Sequence, residues 1–406
     1  MSSLRGSMKD RCAEFTAIIL FAMLLWSCSD DPTALNSVGT QLLSTKVTVK
    51  TDILPAVSSS TFRQYVSMDG RTNLIGKFST SNGEYVAYGL VQFFSSYIFQ
   101  RDTVLVLSAT LKLRAETWFG DSSASFGFNV HEINRSWGQT TFRWDSLEAG
   151  FYNPVPGPFP GSATQQDSQW ISVGLDTAMV RRWLRPSTFS NNYGVILIPT
   201  QGTNIIRGIH AFEFGADTLY PQLTVIARNV SGTTTDTTIY QKGQDTFVTF
   251  VGNINNPSFS TNLIYVQSGV SYRGFLKVDL SSIPRGAIIN QAQLTLVYNP
   301  AASRVNRFTT DSSIVVHSLL SATDSSKFEL LGARAVSSLS TARFVFDIRH
   351  QVQTWIRDQR LNYGVIFRPT NANEFSSFDL FAFYNETAAD STARPQLLVK
   401  YTVESK

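Results

Sequence analysis

Beyond residue 45 the chain consists of short apolar segments in which Val, Ile, Leu, Phe and Tyr alternate with polar residues or run together. Gly, Asn, Asp and Ser separate these segments, a pattern that predicts strands and turns. Two places break this period with apolar residues at i, i+3 and i+4, which predicts short helices around Trp183 and Trp355. The pattern indicates an all-β protein. It excludes a parallel α/β sheet, because the crossover helices are missing.

The order of segments occurs twice along the chain. The matched segments are LVQF (90–93) and FLKV (275–278), SATLKL (108–113) and QAQLTL (291–296), FNVHEI (128–133) and IVVHSL (314–319), NYGVILIPT (192–200) and NYGVIFRPT (362–370), and PQLTVIA (221–227) and PQLLVKY (395–401). Between the copies, NVSGTTTDTT (229–238) has the composition of a linker. We therefore predict two tandem jelly-roll-like β-sandwiches, over 46–228 and 239–402, each with one short helix.

Several motifs of this repeat resemble the DNRLRE domains, jelly-roll modules of secreted bacterial proteins related to a carbohydrate-binding module family. The second copy carries FLKVDLSSIPRGAIINQAQLTL (275–296) and RPQLLVKY (394–401), and the first carries SWGQTTFRW (136–144). The segment LIGKFSTSNGEYVAYGLVQF (74–93) is similar instead to an uncharacterised family of Bacteroidota lipoproteins. The resemblance covers most of 70–402 and implies a secreted jelly-roll protein. Neither family brings a catalytic signature.

The N-terminus has the pattern of a secretory signal. An apolar run, FTAIILFAMLLW (15–26), follows three basic residues and is shorter than the roughly twenty residues that span a bilayer. The run ends in LWSC (25–28), which resembles a bacterial lipobox and implies lipid attachment at Cys28. An uncleaved anchor with a free Cys28 is the alternative. We expect a lipoprotein signal peptide over 1–27, a tether over 28–45, and an outward-facing anchor in the bacterial outer membrane.

The cysteine content and the charge distribution exclude several kinds of site and one class of partner. Of the two cysteines, Cys12 lies inside the predicted signal, so the mature chain has no disulfide, zinc cluster or thiol nucleophile. The formal net charge of +4 is spread over 406 residues without a basic block, which argues against nucleic acid as a partner. The apolar content of 43% is too high for a disordered chain.

Sequence motifs of known enzymes are missing. His131 and His317 occupy equivalent strand positions, which predicts a shared structural role, and no histidine has partners at metal-ligand spacing. No H-E-x-x-H, G-x-S-x-G or phosphate-binding Gly loop is present. Pairs of carboxylates such as Asp121 and Glu132 could flank a glycosidic bond. We expect neither an enzyme nor a cofactor, and the sequence leaves a structural Ca²⁺ open.

Tryptophan supplies the candidate ligand site. Trp183 and Trp355 lie at matched helix positions and are predicted to be core residues. The other tryptophans beyond the signal have no counterpart in the second copy; they are Trp118, Trp137, Trp144 and Trp170. Aromatic rings offer a flat apolar platform to the C–H face of a sugar. With Arg143 and Tyr152 they form the predicted ligand-binding set. Alternatively, they plug the sandwich ends or the interface between the copies.

Two further segments have candidate roles. The Pro-rich insert GFYNPVPGPFPGS (150–162) is a second candidate binding loop, or a cover over a strand edge. Triplets of Asp, Ser or Thr, and an aliphatic residue or Thr recur along the chain and resemble O-glycosylation sites of Bacteroidota. Among them Thr237, in the predicted linker, is expected to be the most accessible.

The leading hypothesis is a non-catalytic cell-surface lipoprotein that binds polysaccharide or another extracellular ligand through the first sandwich. The second sandwich then acts as a support. One rival is a structural or adhesive envelope component that binds no glycan, and the other is a polysaccharide-degrading enzyme. The expected partners are the membrane, through the lipid anchor, a polysaccharide, and other envelope proteins.

Overall fold

A computed structural model gives the fold. It describes residues 46–80, 83–94, 103–163, 168–185, 192–212, 216–252, 259–306, 312–335, 339–357 and 361–405. The predicted signal peptide, the tether and Cys28 lie outside these residues. Residues 51–401 form one compact body, and the described chain ends, 46–50 and 402–405, form a second small unit. In the part of the chain that is described, no helix is long and apolar enough to cross a membrane.

The described residues form two large sheets and three short helices, which confirms the predicted all-β class. The first sheet contains Thr72–Thr80 (β2), Gly83–Phe93 (β3), Val104–Gly120 (β4), Phe126–Glu132 (β5), Gly161–Ala163 (β6), Gln169–Gly174 (β7), Val195–Pro199 (β8), Ile205–His210 (β9), Gln222–Asn229 (β10), Thr235–Tyr240 (β11) and Gly243–Gly252 (β12). The second contains Lys46–Arg63 (β1), Leu263–Gln267 (β13), Tyr272–Val278 (β14), Ile288–Val297 (β15), Ile314–Ser318 (β16), Ala333–Arg334 (β17), Arg343–Asp347 (β18), Val365–Pro369 (β19), Leu380–Tyr384 (β20) and Gln396–Ser405 (β21). The helices are Thr177–Leu184 (α1), Arg349–Arg357 (α2) and Asn371–Glu374 (α3).

The strand order shows how each sheet closes around a core. The first sheet runs β11-β10-β4-β9-β2-β3-β8-β5-β6, with β12 on β3 and β7 on β4. The second runs β17-β16-β19-β14-β1-β21-β15-β18, with β13 on β14 and β20 on β13. The pairing of β4 with β9 has a register shift between Ala115 and Thr117, and the pairing of β1 with β14 has one between Ala56 and Ser58. Such long, kinked strands let a sheet fold over its own core.

The core follows the sequence repeat. Three pairs of apolar residues from the matched segments are buried in both copies, each residue at most 3% exposed; they are Leu111 and Leu294, Val195 and Val365, and Leu223 and Leu397. The predicted helices are also present. Asp176 begins α1 by accepting the Ala178 N–H at 2.9 Å, and Asp347 accepts the Arg349 N–H at 3.0 Å before α2.

Two strands belong to one copy of the repeat by sequence but pair in the sheet of the other copy. β1, the first strand of the first copy, pairs with β14 and β21 of the second copy, with Ala56 opposite Val278. β12 follows the predicted linker, yet it pairs along β3 of the first copy, with Gly243 opposite Phe93. Phe93 and Val278 are equivalent in the repeat. Each copy therefore donates its first strand to the sheet of the other, a reciprocal exchange.

The exchange changes the predicted boundaries. Residues 235–240, which overlap the predicted linker, form β11 and pair with β10, with Leu223 opposite Tyr240. Thr-rich stretches favour strands because the branched side chain suits an extended backbone. What remains of the linker is a tight turn in which Gly232 N–H donates to the Asn229 carbonyl at 3.0 Å. The first sheet thus occupies residues 72–252, and the second occupies 263–405 together with β1.

The shared Asn-Tyr-Gly motif has the same local role in both copies. Asn192 Nδ2 donates to the Phe93 carbonyl at 2.8 Å, and its Oδ1 accepts the Gly194 N–H at 3.2 Å. The residues that make the same contacts in the second copy are Asn362, Val278 and Gly364, at 2.8 and 2.9 Å. Gly194 has φ +83°, and a Cβ there would lie 2.2 Å from the Val91 carbonyl oxygen. The motif fixes the entry of β8 and β19 into their sheets.

Replacing Gly194 by Ala should lower the free energy of unfolding by about 2–4 kcal/mol, because positive φ and a backbone clash combine. Gly202→Ala is the matched control, since a Cβ there meets nothing within 4 Å. That variant should stay within about 0.5 kcal/mol of the parent. Urea unfolding of both variants measures the difference, and equal stabilities would contradict this role.

Candidate functional site

An aromatic cleft opens on the first sheet. Its volume is about 430 Å³, and its walls include Tyr88, Trp144, Glu148, Tyr152 and Phe250. The Phe250 ring lies 4.7 Å from the Trp144 ring and 5.0 Å from the Tyr88 ring, centroid to centroid. Burial raises the pKa of Tyr88, so its hydroxyl stays protonated and remains a hydrogen-bond donor. The cleft combines apolar rings with one carboxylate and two phenols.

The exchanged strand β12 completes this cleft. Phe250 belongs to β12, where it lies opposite Val86 of β3. Val248, two residues earlier on β12, is buried in the apolar cluster against which Tyr88, Trp137 and Tyr152 pack. The candidate site predicted for the first copy therefore includes residues of the second. Sequence reasoning missed Phe250 because the hydrophobic pattern does not indicate that β12 pairs with β3. It also missed Tyr88, whose ring meets Phe250 only across that pairing.

A 3-10 turn holds Trp144 at the cleft. The turn covers Trp144–Ser146, and Ser146 N–H donates to the Arg143 carbonyl at 2.9 Å. The Arg143 guanidinium pairs with Asp145 at 2.9 Å, with both side chains close to half exposed. Exposed pairs of this kind contribute little stability. Arg143 is not part of the cleft wall; it shapes the turn that presents Trp144.

Trp137 anchors the same loop. Its indole Nε1–H donates to the Tyr193 carbonyl at 2.8 Å, and its own carbonyl accepts Gln244 Nε2 at 3.1 Å. Gln244 lies on β12 and also donates to Gln92 Oε1 at 2.6 Å. These contacts tie the loop to the residues just before β8 and to β12, and through Gln244 to β3. Trp137 supports the cleft from outside its wall.

Tyr152 occupies a position that both copies share. His131 Nδ1 lies 2.9 Å from the Asn153 carbonyl, and His317 Nδ1 lies 2.8 Å from the Glu329 carbonyl. Because a carbonyl only accepts, Nδ1 carries the proton in each histidine. In each copy an aromatic residue precedes the acceptor, Tyr152 in the first and Phe328 in the second. The predicted shared structural role of the two histidines is confirmed, and Tyr152 serves the fold as well as the cleft.

The Pro-rich insert covers a strand edge. Asn153 N–H donates to the Glu132 carbonyl at 2.8 Å, and Gly157 N–H donates to the Val130 carbonyl at 2.7 Å. Further on, β6 pairs with β5. The insert thus runs beside β5 and satisfies its backbone groups, as the cover interpretation expected.

The other predicted tryptophans lie apart from the cleft. Trp118 is in β4, half-buried against the main core of the first sheet, and its carbonyl accepts Asn306 Nδ2 at 2.5 Å. Trp170 is in β7 and 38% exposed, with the Arg114 guanidinium 5.9 Å from its ring centre. Of the predicted ligand-binding residues, the structure brings Trp144 and Tyr152 into the cleft wall and places Trp137 beside it.

The two matched helix tryptophans differ. Trp183 is 2% exposed, which confirms it as a core residue. Trp355 is only half-buried and borders an open groove of about 810 Å³ together with Ile283, Arg285 and Leu361. The prediction of a core position is wrong for Trp355, because the groove leaves one side of α2 uncovered.

The carboxylates considered for catalysis have structural partners. Glu132 pairs with Arg182 at 2.5 Å. Asp121 accepts the Ser123 N–H and hydroxyl at 2.8 and 2.6 Å, and these hydrogen bonds lower the pKa of Asp121. Across the residues that the structure describes, no group of three or more His, Cys, Asp and Glu side chains could hold a metal ion. Thr237 is exposed on β11, and its modification stays a prediction.

A charged cluster lies inside the second sheet. The Arg273 guanidinium donates to the Glu374 carboxylate from Nε at 2.8 Å and from Nη2 at 3.2 Å. Arg368 Nη1 donates to the same carboxylate at 2.8 Å. The Glu374 side chain is fully buried. Both guanidinium groups lie within 6 Å of the Phe328 ring centre. A buried carboxylate needs such partners, because removing one would leave an uncompensated charge.

His317 lies next to this cluster. Burial, reinforced by the positive charges of Arg368 and Arg273, lowers the pKa of His317 to about 4. The unfolded chain has a histidine pKa of about 6.5. The neutral form therefore stabilises the fold fully above about pH 6.5, and this contribution is lost as pH falls towards 4.

Between about pH 7.5 and about pH 5, the parent should lose roughly 2 kcal/mol more unfolding free energy than His317→Gln. The glutamine has no proton to take up and keeps a hydrogen-bond donor near the Glu329 carbonyl. Urea unfolding at both pH values gives the two differences. Parallel losses in parent and variant would show that His317 is not the titrating group.

Comparison with known proteins adds one match. A family model described as TGF-beta propeptide matches residues 219–379, less than half of the chain. The matched range takes strands from both sheets and stops one residue before β20, so it follows neither sheet. No curated protein matches the sequence. The match therefore assigns no family.

Proposed function

We propose that this protein is a non-catalytic binding protein of the bacterial cell surface, and that the aromatic cleft of the first sheet holds a polysaccharide. The observation that carries the proposal is the grouping of Tyr88, Trp144, Tyr152 and Phe250 around one solvent-open space. Sugars present apolar C–H faces to aromatic rings and hydroxyls to polar groups. Glu148 and the Tyr88 hydroxyl supply polar partners at the same place.

The size of the cleft suits a short stretch of such a chain. Its volume of about 430 Å³ lies within the range of small-ligand sites, roughly 300–1,000 Å³. The 3-10 turn and the Trp137 anchor hold the Trp144 wall in place before any ligand arrives. A preformed wall lowers the ordering cost of binding. The DNRLRE resemblance supports the same ligand class.

Trp144→Ala should weaken polysaccharide binding at least tenfold, about 1.4 kcal/mol, because it removes the largest ring of the wall. A glycan array identifies the ligand, and titration calorimetry with that ligand compares the variants. Trp170→Ala is the matched control, since it removes an exposed Trp outside the cleft. Equal loss in both variants would contradict the assignment. An array that stays silent with the parent protein would favour the structural alternative.

We further propose that Cys28 carries the lipid that anchors the protein in the outer membrane. The support is the apolar run and the LWSC sequence that ends it. Acyl chains on one cysteine anchor firmly because each buried methylene contributes about 0.8 kcal/mol.

Cys28→Ala should move the protein from the membrane fraction to the soluble fraction of the producing cell. Cys12→Ala is the control and should leave the distribution unchanged, because Cys12 lies ahead of the expected cleavage point. Fractionation followed by immunoblotting reads the result. Membrane retention of the Cys28→Ala protein would rule out this anchor.

A further inference from the structure

Residues 51–63 of β1 lie in a slot built by the second copy of the repeat. On one side β14 pairs with them from Ala56 to Arg63, and on the other lies β21. The Ala56 N–H donates to the Pro395 carbonyl at 3.2 Å, and the Ser59 N–H donates to Glu386 at 3.2 Å. These contacts reach only residues of the second copy. At the end of the strand, Arg63 also donates to the Thr249 carbonyl of β12 and lies 6.0 Å from the ring centre of Trp144. Up to Phe62, the slot is therefore built by β14 and β21 of the second copy.

Backbone hydrogen bonds to the neighbouring strands hold residues 51–63 in place, and few apolar side chains of this segment are buried. Among residues 51–63 only Ala56 is buried, and Ile53 and Val57 are 60% and 54% exposed. The strand itself therefore contributes few buried apolar side chains. Its withdrawal would leave two strand edges with unpaired backbone groups, β14 and β21. Such edges pair readily with any strand of matching pattern.

We propose that this slot is a self-recognition site, and that it accepts residues 51–63 of a second copy of the chain. The contacts with β14 and β21 are the same whichever copy supplies the strand. Only the connection over 64–71, between β1 and β2, distinguishes the two arrangements, because it sets the effective concentration of the chain's own strand. Exchange of an identical element is a low-cost route to dimers. The own strand fills the slot in dilute solution, and strands from other copies enter as the protein concentration rises.

Cysteine crosslinking separates the two arrangements. Ser58 lies opposite Lys277 across the pair of β1 and β14. The background is the full chain with Cys12→Ser and Cys28→Ser, which removes both natural thiols. Chains that carry only Ser58→Cys are unfolded, mixed with chains that carry only Lys277→Cys, refolded at several protein concentrations and oxidised. Directly opposed strand positions meet the distance that a disulfide requires.

The proposal predicts a disulfide between chains, seen on a non-reducing gel, which rises with protein concentration. Ser231→Cys mixed with Lys277→Cys is the control, because Ser231 lies in an exposed turn outside the slot. The slot pair should exceed this collisional background at least tenfold. A single chain that carries both Ser58→Cys and Lys277→Cys should crosslink internally at low concentration, which checks the register.

Two results would overturn the proposal. In the first, the slot pair gives no more dimer than the Ser231 control while the doubly substituted chain crosslinks internally, so that the slot takes only its own strand. In the second, the doubly substituted chain fails to crosslink at all, and the pairing of β1 with β14 is absent.

Discussion

The backbone groups of a strand inside a sheet must be paired on both edges, and this requirement joins the two repeats. Each copy leaves a place beside its central strand, β3 in one and β14 in the other. The first strand of the opposite copy fills that place. A strand buried without partners would leave N–H and C=O groups unsatisfied at a cost of a few kcal/mol each. Because of the exchange, each sheet needs one strand from the other copy to be complete. The exchange also places β1 beside β21.

The candidate cleft inherits this dependence. Phe250 reaches the cleft on the exchanged strand and packs on Trp144 and Tyr88, which belong to the first copy. Gln244, on the same strand, holds the loop of Trp137. Anything that loosened β12 would disturb the aromatic wall and its anchor together. The ligand site and the connection between the copies are thus one piece of structure, although they look unrelated along the chain.

Sequence patterns predicted the class, the repeat and the core because these depend on local periodicity. Alternation of apolar residues fixed which face of Leu111 or Val195 is buried, and the recurring Asn-Tyr-Gly marked the strand entries. The hydrophobic pattern does not indicate which sheet a strand joins, because the strand edges at the equivalent places in the two copies are similar. The pattern also does not show whether neighbouring chain covers a helix. Trp183 and Trp355 were therefore both predicted to be core residues, although only Trp183 is buried. Pairing between strands that lie far apart in the sequence determines which sheet each strand joins.

The most direct test of the exchange compares two fragments by amide hydrogen exchange. Residues 64–252 contain every strand of the first sheet, whereas 46–228 follows the sequence repeat and lacks β11 and β12. The account predicts that 64–252 unfolds cooperatively as a monomer, with slow exchange at the amides of 243–252. It is contradicted if those amides exchange as in an unfolded chain while 46–228 is a fully protected monomer, because β1 would then belong to the first sheet.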